Sequence, residues 1–144
     1  MGSRGIACFD PAALREQRRC VGLSQGQLAE RVRARSVVPL LRTHVSMYEC
    51  GSRLPEQRTL CAMADGLDVP VSCLLRADPP SIARLRLAAQ LTQQEAARRL
   101  GVAQSRMSLI ERGLVELDAA GVQRLASILD TGIVTVRLAI RAAL

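Results

Sequence analysis

The sequence predicts an all-α protein made of two tandem helical units. Nearly half of the 144 residues are hydrophobic, yet the chain has one Phe, one Tyr and no Trp. A core of this composition must be built from Leu, Val, Ile, Ala and Met, which suits packed helices better than a β-sandwich. Apolar residues also recur at helical spacing, as Leu60, Met63, Ala64 and Leu67 do, and such a stripe is typical of a helix with one buried face.

An internal repeat divides the chain. Leu23–Val32 aligns with Leu91–Leu100 at an offset of 68 residues (91 − 23), and Val45–Gly51 aligns with Met107–Gly113 at an offset of 62 (107 − 45). The six-residue difference is an insertion near 34–40 of the first copy, where Pro39 forbids a continuous helix. We therefore expect a flexible N-terminal arm at 1–10, a first domain at 11–75, a short Pro-containing linker at 76–80, and a second domain at 81–144.

The first copy can be followed helix by helix. Asp10 and Pro11 predict an N-cap and a first helical residue, for a helix that closes at Gly22. The next helix follows Leu23, the stripe from Leu60 predicts a fourth helix, and 68–75 predicts a short fifth one. The insertion lies between the second and third helices.

The second copy holds the clearest helix pair. Thr92 and Glu95 have the spacing of a capping box, which starts a helix, and Gly101 can end it by adopting a positive φ. A second short helix fits Gln104 to Glu111, with Met107 and Ile110 facing inward. Two short helices joined by a tight glycine-containing turn form a helix-turn-helix.

These residues closely resemble the Cro/repressor-type (XRE) helix-turn-helix family. The resemblance rests on the Thr92-Gln93 start, the small Ala97, the turn glycine Gly101 and the closing 110–113 segment, Ile-Glu-Arg-Gly. It implies two lambda-repressor-like five-helix domains, each with its third helix in the major groove of DNA.

The resemblance also implies which side chains contact DNA. Outward polar residues of the third helices would touch base edges, and glutamines at the start of the second helices would hold phosphates. For the arginines beyond the third helices, a phosphate contact, a solvated surface position and a surface ion pair are all open. The insertion can displace the third helix of the first copy, and that copy would then lose base reading. Arg33, Arg35 and Arg42 could instead make extra phosphate contacts. The residues assigned to DNA binding are Gln93, Gln94, Gln104, Ser105, Arg106, Ser108, Leu109 and Arg112 in the second copy, and Gln25, Arg42, Thr43, His44, Ser46 and Arg53 in the first.

Charge and composition narrow the function classes. The net charge of +7 and a pI near 10.4 favour a polyanionic partner, although a merely basic helical protein is the alternative. Every basic residue apart from His44 is Arg, a bias typical of a GC-rich bacterial genome. Because no signal peptide and no apolar run of about 18 residues is found, we expect a cytoplasmic, nucleoid-associated protein.

Few residues suit catalysis or metal binding. The five cysteines form no C-x-x-C pair and the chain has a single His, so we expect no metal, no cofactor and no enzyme activity. We expect Cys20, Cys50, Cys61 and Cys73 to be buried in helices, as free cysteines often are in reducing compartments.

The sequence thus favours a regulator of transcription. We expect sequence-specific binding of double-stranded DNA, repression, and an asymmetric or imperfect site, since the two third helices differ. The alternative is a protein-interaction module, an antitoxin or adaptor, on the same scaffold. The last helix, 133–144, could pack on its own core or on the first copy, or it could form a homodimer. The β-branched run at 133–136 leaves a strand open.

Overall fold

Helices account for nearly all regular structure in the residues that the computed structural model describes, 5–77 and 80–143. Within these ranges the one extended pairing is an isolated antiparallel bridge between Phe9 and Leu75. The all-α class is therefore confirmed. The chain divides into unit 1, Met1–Arg76, and unit 2, Ala77–Leu144. The division falls at the start of the expected linker, 76–80, of which residues 78 and 79 lie outside the described residues.

Unit 1 begins its first helix where the sequence predicted. Asp10 caps that helix, and its Oδ1 accepts hydrogen bonds from the N–H groups of Ala12 and Ala13 at 3.1 and 3.4 Å. The fifth element is a single turn of 3-10 helix rather than an α-helix. The elements are α1 Pro11–Cys20, α2 Gln25–Arg35, α3 Arg42–Glu49, α4 Gln57–Gly66 and the 3-10 turn Val71–Leu74.

Most of the expected N-terminal arm is part of unit 1. Phe9 is fully buried and its ring meets that of Tyr48 edge-on, with the centroids 6.4 Å apart. The backbone N–H of Ile6 donates to the carbonyl of Pro55, and that of Arg76 donates to the carbonyl of Cys8. The expectation of a flexible arm at 1–10 is thus wrong for residues 5–10, because an aromatic side chain anchors them; residues 1–4 lie outside the described residues.

Unit 2 repeats the helix order of unit 1. One cluster of buried Leu, Ile, Val, Met and Ala side chains forms its core, with Leu100, Met107 and Leu125 among the fully buried members. Its helices are α5 Ile82–Ala88, α6 Gln93–Leu100, α7 Gln104–Glu111, α8 Ala119–Ile128 and α9 Ile133–Ala143.

The last helix packs on its own unit. Val136 and Ala139 of α9 are fully buried in the unit 2 core, whereas Val134 and Leu138 are 71% and 52% exposed. Residues 133–136 are helical rather than a strand. Residue 144, the end of the expected helix, lies outside the described residues.

The cysteines differ from expectation. Cys20 and Cys50 are exposed, and Cys8, Cys61 and Cys73 are half-buried, all as free thiols. Both exposed cysteines stand at helix ends, Cys20 as the last residue of α1 and Cys50 as the C-cap of α3. Helical periodicity does not predict burial there, because the chain leaves the helix axis at these positions.

Candidate nucleic-acid interface

The α6–α7 pair of unit 2 has the geometry that the sequence predicted. Thr92 starts α6 by accepting a hydrogen bond from the backbone N–H of Glu95, with 3.1 Å between Oγ1 and N. Gly101 ends α6 in the left-handed region at φ 82°, a conformation that glycine adopts readily because it has no Cβ. A three-residue turn, 101–103, then leads directly into α7.

α7 has a buried apolar face and an open polar face. Met107 and Ile110 are buried in one cluster with Ala97 of α6, whose small side chain lets the two helices approach closely. On the other side the first turn of α7 is exposed, and Ser108 and Leu109 are half-buried. The side chains of three residues on this open face form no hydrogen bond or ion pair with any described residue: Gln104, Ser105 and Arg106.

A buried ion pair fixes the base of this helix pair. Arg86 of α5 donates from Nε to Oε1 of Glu111, the last residue of α7, and from Nη1 to the carbonyl of Leu91 at 2.9 Å. The side-chain amide of Gln93, the first residue of α6, donates to the other carboxylate oxygen at 2.7 Å. Glu111 therefore ties together the first three helices of unit 2.

Unit 1 contains the same network at the aligned positions. Arg18 donates from Nε and Nη2 to the two carboxylate oxygens of Glu49 at 2.6 and 2.8 Å, and from Nη1 to the carbonyl of Leu23 at 2.8 Å. The amide of Gln25 donates to Glu49 at 3.2 Å, and Arg15 adds a longer contact of 3.4 Å.

Electrostatics in this network favour the ionised pair. Burial alone would raise the pKa of Glu49, but hydrogen bonds from Arg18, Gln25 and Arg15 outweigh burial and hold the pKa below its ordinary 4.5. The hydrogen bond to Glu49 likewise raises the pKa of Arg18. A charge pair of this kind stabilises a structure only when its remaining polar atoms also form hydrogen bonds. Here the Gln25 amide donates to the Glu49 carboxylate, and the Leu23 carbonyl accepts from Arg18.

Sequence reasoning missed this network. It assigned no role to Arg18 and singled out Glu111 only as part of the closing 110–113 motif. The recurrence itself was the available signal, because Arg, Gln and Glu stand at the same positions of both copies, at 18, 25 and 49 and at 86, 93 and 111.

The glutamines expected to bind phosphate are partly committed to these networks. An amide NH₂ group has two hydrogens, and the carboxylate of Glu49 or Glu111 takes one hydrogen from Gln25 or Gln93. Each glutamine is also the first residue of its helix, where backbone N–H groups have no partner within the helix. The network thus orients both side chains and leaves donors for an anion; the phosphate contact itself stays a prediction.

The third helix of unit 1 has a different outer face. Arg42, Thr43 and Ser46 are exposed, whereas His44 is half-buried. The ring Nδ1 of His44 accepts a hydrogen bond from the backbone N–H of Leu41 at 3.1 Å. His44 therefore stabilises the start of its own helix, and only its Nε2 remains for a base.

The six inserted residues are divided between a helix and a turn. α2 has 11 residues against 8 in α6, and the connection to the third helix is 36–41 in unit 1 against 101–103 in unit 2. Both halves of a capping box, between Ser24 and Gln27, secure the start of the longer helix.

The arginines around the insertion make internal contacts. Arg33 donates from Nη1 to the carbonyl of Leu40 at 2.6 Å. Arg35 donates to the carbonyl of Asp65 and to the carboxylate of Asp68, at 2.9 and 3.0 Å. Their guanidinium groups therefore fix the insertion against unit 1, which weakens the expectation that they serve mainly as phosphate contacts.

The remaining assigned residues lie on the surface. Gln94 is exposed in the first turn of α6, Arg112 is the exposed C-cap of α7, and Arg53 is exposed in the loop after α3. Neither Arg53 nor Arg112 forms an ion pair with a described residue, which leaves a phosphate contact and a solvated surface position both open. Cys50 of unit 1 stands at the position of Arg112, and unit 1 therefore lacks one of these cations.

Neither a cluster of metal-binding side chains nor a membrane-spanning helix is present in residues 5–77 and 80–143. No group of three or more His, Cys, Asp or Glu side chains there is placed to hold a metal ion. In the same ranges no helix combines the length and apolar character needed to cross a membrane.

Comparison with known proteins bears on unit 2. Residues 82–139 match the sequence model of a family described as a helix-turn-helix domain. This range contains α6, the 101–103 turn and α7, so unit 2 is similar to a helix-turn-helix domain, and the match supports a helix-turn-helix DNA-binding protein. Searches of curated proteins and of solved structures gave no significant match. The narrower resemblance to the Cro/repressor type stays a prediction.

Proposed function

We propose that this protein is a sequence-specific double-stranded DNA-binding regulator of transcription. The observation that carries the proposal is the open face of α7, where Gln104, Ser105 and Arg106 are exposed and unpaired in a helix-turn-helix domain. Exposed polar side chains that no internal hydrogen bond or ion pair restrains are what a recognition helix needs to reach base edges.

Each residue of this face suits a particular base contact. Gln104 can pair with N6 and N7 of adenine, and Arg106 can donate two hydrogen bonds to O6 and N7 of guanine. Leu109 can pack against a thymine methyl group. Arg112 and the N-terminus of α6 would hold the flanking phosphates, since a helix N-terminus favours anions.

Unit 1 would act as a second, non-identical helix-turn-helix. Its helices follow the same order, and the Arg18–Gln25–Glu49 network supports the same arrangement of its first three helices. The exposed residues of α3 differ from those of α7, so the combined site would be asymmetric or imperfect. Two units in one chain raise the effective concentration of each at the other's half-site.

The protein would regulate transcription by occupying a promoter. A protein that binds a promoter tightly excludes the polymerase, which makes repression the simplest outcome. The net charge of +7 would draw the protein to DNA and make its affinity strongly dependent on salt.

Binding assays with full-length protein test the proposal. Duplexes are selected from a randomised pool, and the affinity of each variant for a recovered duplex is measured by fluorescence anisotropy. Gln104→Ala and Arg106→Ala should weaken binding about tenfold each, whereas Arg137→Ala, a matched loss of one exposed charge on α9, should have a much smaller effect. Equal effects of Arg106→Ala and Arg137→Ala would contradict a base-reading role for α7.

A protein-interaction role has one observation in its favour. Val134 and Leu138 lie one turn apart on the solvent side of α9 and are 71% and 52% exposed, and exposed apolar stripes often mark contact surfaces. A homodimer through 133–144, or an antitoxin or adaptor contact, would cover them. The mass of the protein in solution at 0.5 M salt separates the candidates, because an apolar interface should persist there while phosphate contacts weaken.

A further inference from the structure

The connection between α2 and α3 alternates between buried and exposed side chains. Val38 and Leu40 are 5% and 2% exposed, whereas Val37 and Leu41 are 88% and 51% exposed. Pro39, between the two buried residues, is exposed as well. Alternate side chains of the segment are therefore buried, and the others, Val37, Pro39 and Leu41, form an apolar ridge on the surface of unit 1.

Hydrogen bonds hold the ridge in place. Ser36 accepts from the backbone N–H of Val38 at 3.0 Å, and the N–H of Leu40 donates to the carbonyl of Val38 at 2.9 Å. The carbonyl of the same Leu40 accepts the hydrogen bond from Arg33. At the Leu41 end of the ridge, the backbone N–H of Leu41 donates a hydrogen bond to Nδ1 of His44. An exposed valine in a loop anchored at these points has little freedom to turn inward.

The ridge leads directly into α3 and has no counterpart in unit 2. Leu41 is the N-cap of α3, a position where leucine is disfavoured because it offers no oxygen to the free N–H groups. The aligned residue of unit 2 is Ala103, which follows a turn that begins with Gly101. The six extra residues thus place bulky apolar groups at the N-terminus of a third helix, the end that enters the major groove in helix-turn-helix proteins.

The charge around the ridge favours a polyanion. Arg42 and Thr43, which follow Leu41, are exposed, and Arg33 donates only to a carbonyl, so that its positive charge is not neutralised by this contact. Arg31 and Arg35 are paired with Asp68, so the positive charge beside the ridge comes from Arg33 and Arg42. On the major-groove edge of DNA the apolar group is the C5 methyl of thymine, and aliphatic side chains recognise it by contact.

We propose that the Val37–Pro39–Leu41 ridge contacts thymine methyl groups in the major groove and gives unit 1 a preference for A·T pairs. The inference rests on the proposed DNA-binding function. It assigns to unit 1 base recognition by apolar contact, whereas α7 of unit 2 would recognise bases mainly with polar groups.

Deoxyuridine substitution tests the ridge, because uracil differs from thymine only by the missing methyl. The probe is a duplex recovered by the full chain from a randomised pool, with each thymine replaced in turn by deoxyuridine. At one or two positions the substitution should weaken binding by the wild type about fourfold, the value of one buried methyl-sized group. The double variant Val37→Ala/Leu41→Ala should bind the thymine duplex less tightly and lose this sensitivity.

Controls separate the possible outcomes. Val21→Ala, a change of an exposed valine at the end of α1, should leave the thymine sensitivity unchanged. Circular dichroism and thermal unfolding of the double variant are measured to check that it is folded. If the wild type binds no duplex, the proposed function and this inference both fail. If it binds, but the double variant keeps the wild-type sensitivity to deoxyuridine, only the inference is overturned. The inference is likewise overturned if the double variant retains duplex binding but loses co-sedimentation with anionic phospholipid vesicles, which would assign the ridge to a membrane surface.

Discussion

Arg18 and Glu49 form a two-point ion pair, with Nε to Oε2 at 2.6 Å and Nη2 to Oε1 at 2.8 Å. The pair joins α1 to the end of α3, and Arg86 and Glu111 join α5 to the end of α7 in the same way. In each unit the carboxylate also accepts from the first residue of the second helix. The third helix is therefore positioned by charge and hydrogen bonding at its C-terminal end, while its N-terminal turn is exposed, at Arg42 and Thr43 in unit 1 and at 104–106 in unit 2.

Removal of the Glu49 carboxylate should destabilise unit 1 strongly. Glu49→Ala leaves the buried Arg18 guanidinium without its partner, and such a loss costs about 3–5 kcal/mol. Urea denaturation of the full chain, followed by circular dichroism, measures the change. The double variant Arg18→Met/Glu49→Leu removes both charges and should recover most of the loss. A single variant that unfolds at the wild-type urea concentration would show that the pair adds no stability.

The same carboxylate predicts how stability depends on pH. Because the pKa of Glu49 is lower in the folded protein than its ordinary 4.5, the unfolded chain takes up the proton more readily than the folded one. The stabilisation is fully present above the ordinary pKa and is lost as the pH falls through the lowered folded value. Thermal unfolding between pH 7 and pH 3 should therefore show a smaller decrease for Glu49→Gln than for the wild type. Parallel pH curves for the two proteins would rule out this carboxylate as the source.

Two glycines of unit 2 should respond differently to alanine. Gly101 and Gly113 both have positive φ, 82° and 74°, but a Cβ on Gly101 would meet nothing within 4 Å, whereas a Cβ on Gly113 would lie 2.7 Å from the carbonyl oxygen of Ala143. Gly101→Ala should cost about 1 kcal/mol from backbone strain. Gly113→Ala should cost about 3 kcal/mol, since α9 must also shift. Equal losses in urea denaturation would mean that α9 does not pack against Gly113 in solution.

Phosphate contacts and base contacts should have different salt signatures. Arg112→Ala should weaken binding by a similar factor for all duplexes and should reduce the slope of log affinity against log salt by about 1. Titrations between 50 and 200 mM salt measure that slope, and Arg137→Ala serves as the control for the loss of one positive charge. If the slope with Arg112→Ala equals that of the wild type, Arg112 does not contact a phosphate.

The sequence predicted local structure well where capping and glycine chemistry decide it. The bounds of α7, Gln104–Glu111, are those expected from the turn glycine and the apolar spacing. Tertiary pairing was harder to predict, because Arg18 and Glu49 are 31 residues apart in the chain, and an arginine on a helix surface has the same local pattern whether it is solvated or paired. The burial of Phe9 was missed for the same reason, since its neighbours in the chain resemble a mobile terminus.

The structure of the insertion could be predicted only in part from the sequence. The alignment offset established that six residues were added and that Pro39 lies among them, but the offset cannot divide those residues between helix and turn. The division depends on which side chains the core accepts, here Val38 and Leu40. The alternation that places Val37 and Leu41 outside follows from that packing.

The central claim is that α7 reads base pairs. It is tested most directly by selecting duplexes from a randomised pool with the full chain and, in parallel, with its Arg106→Ala variant. We predict that the wild type enriches one asymmetric or imperfect site, and that the variant enriches the same site with its preference lost at one base pair, a difference of about 1–3 kcal/mol at that position. Enrichment of no sequence by the wild type, or of identical sites with identical preferences by both proteins, would contradict the claim.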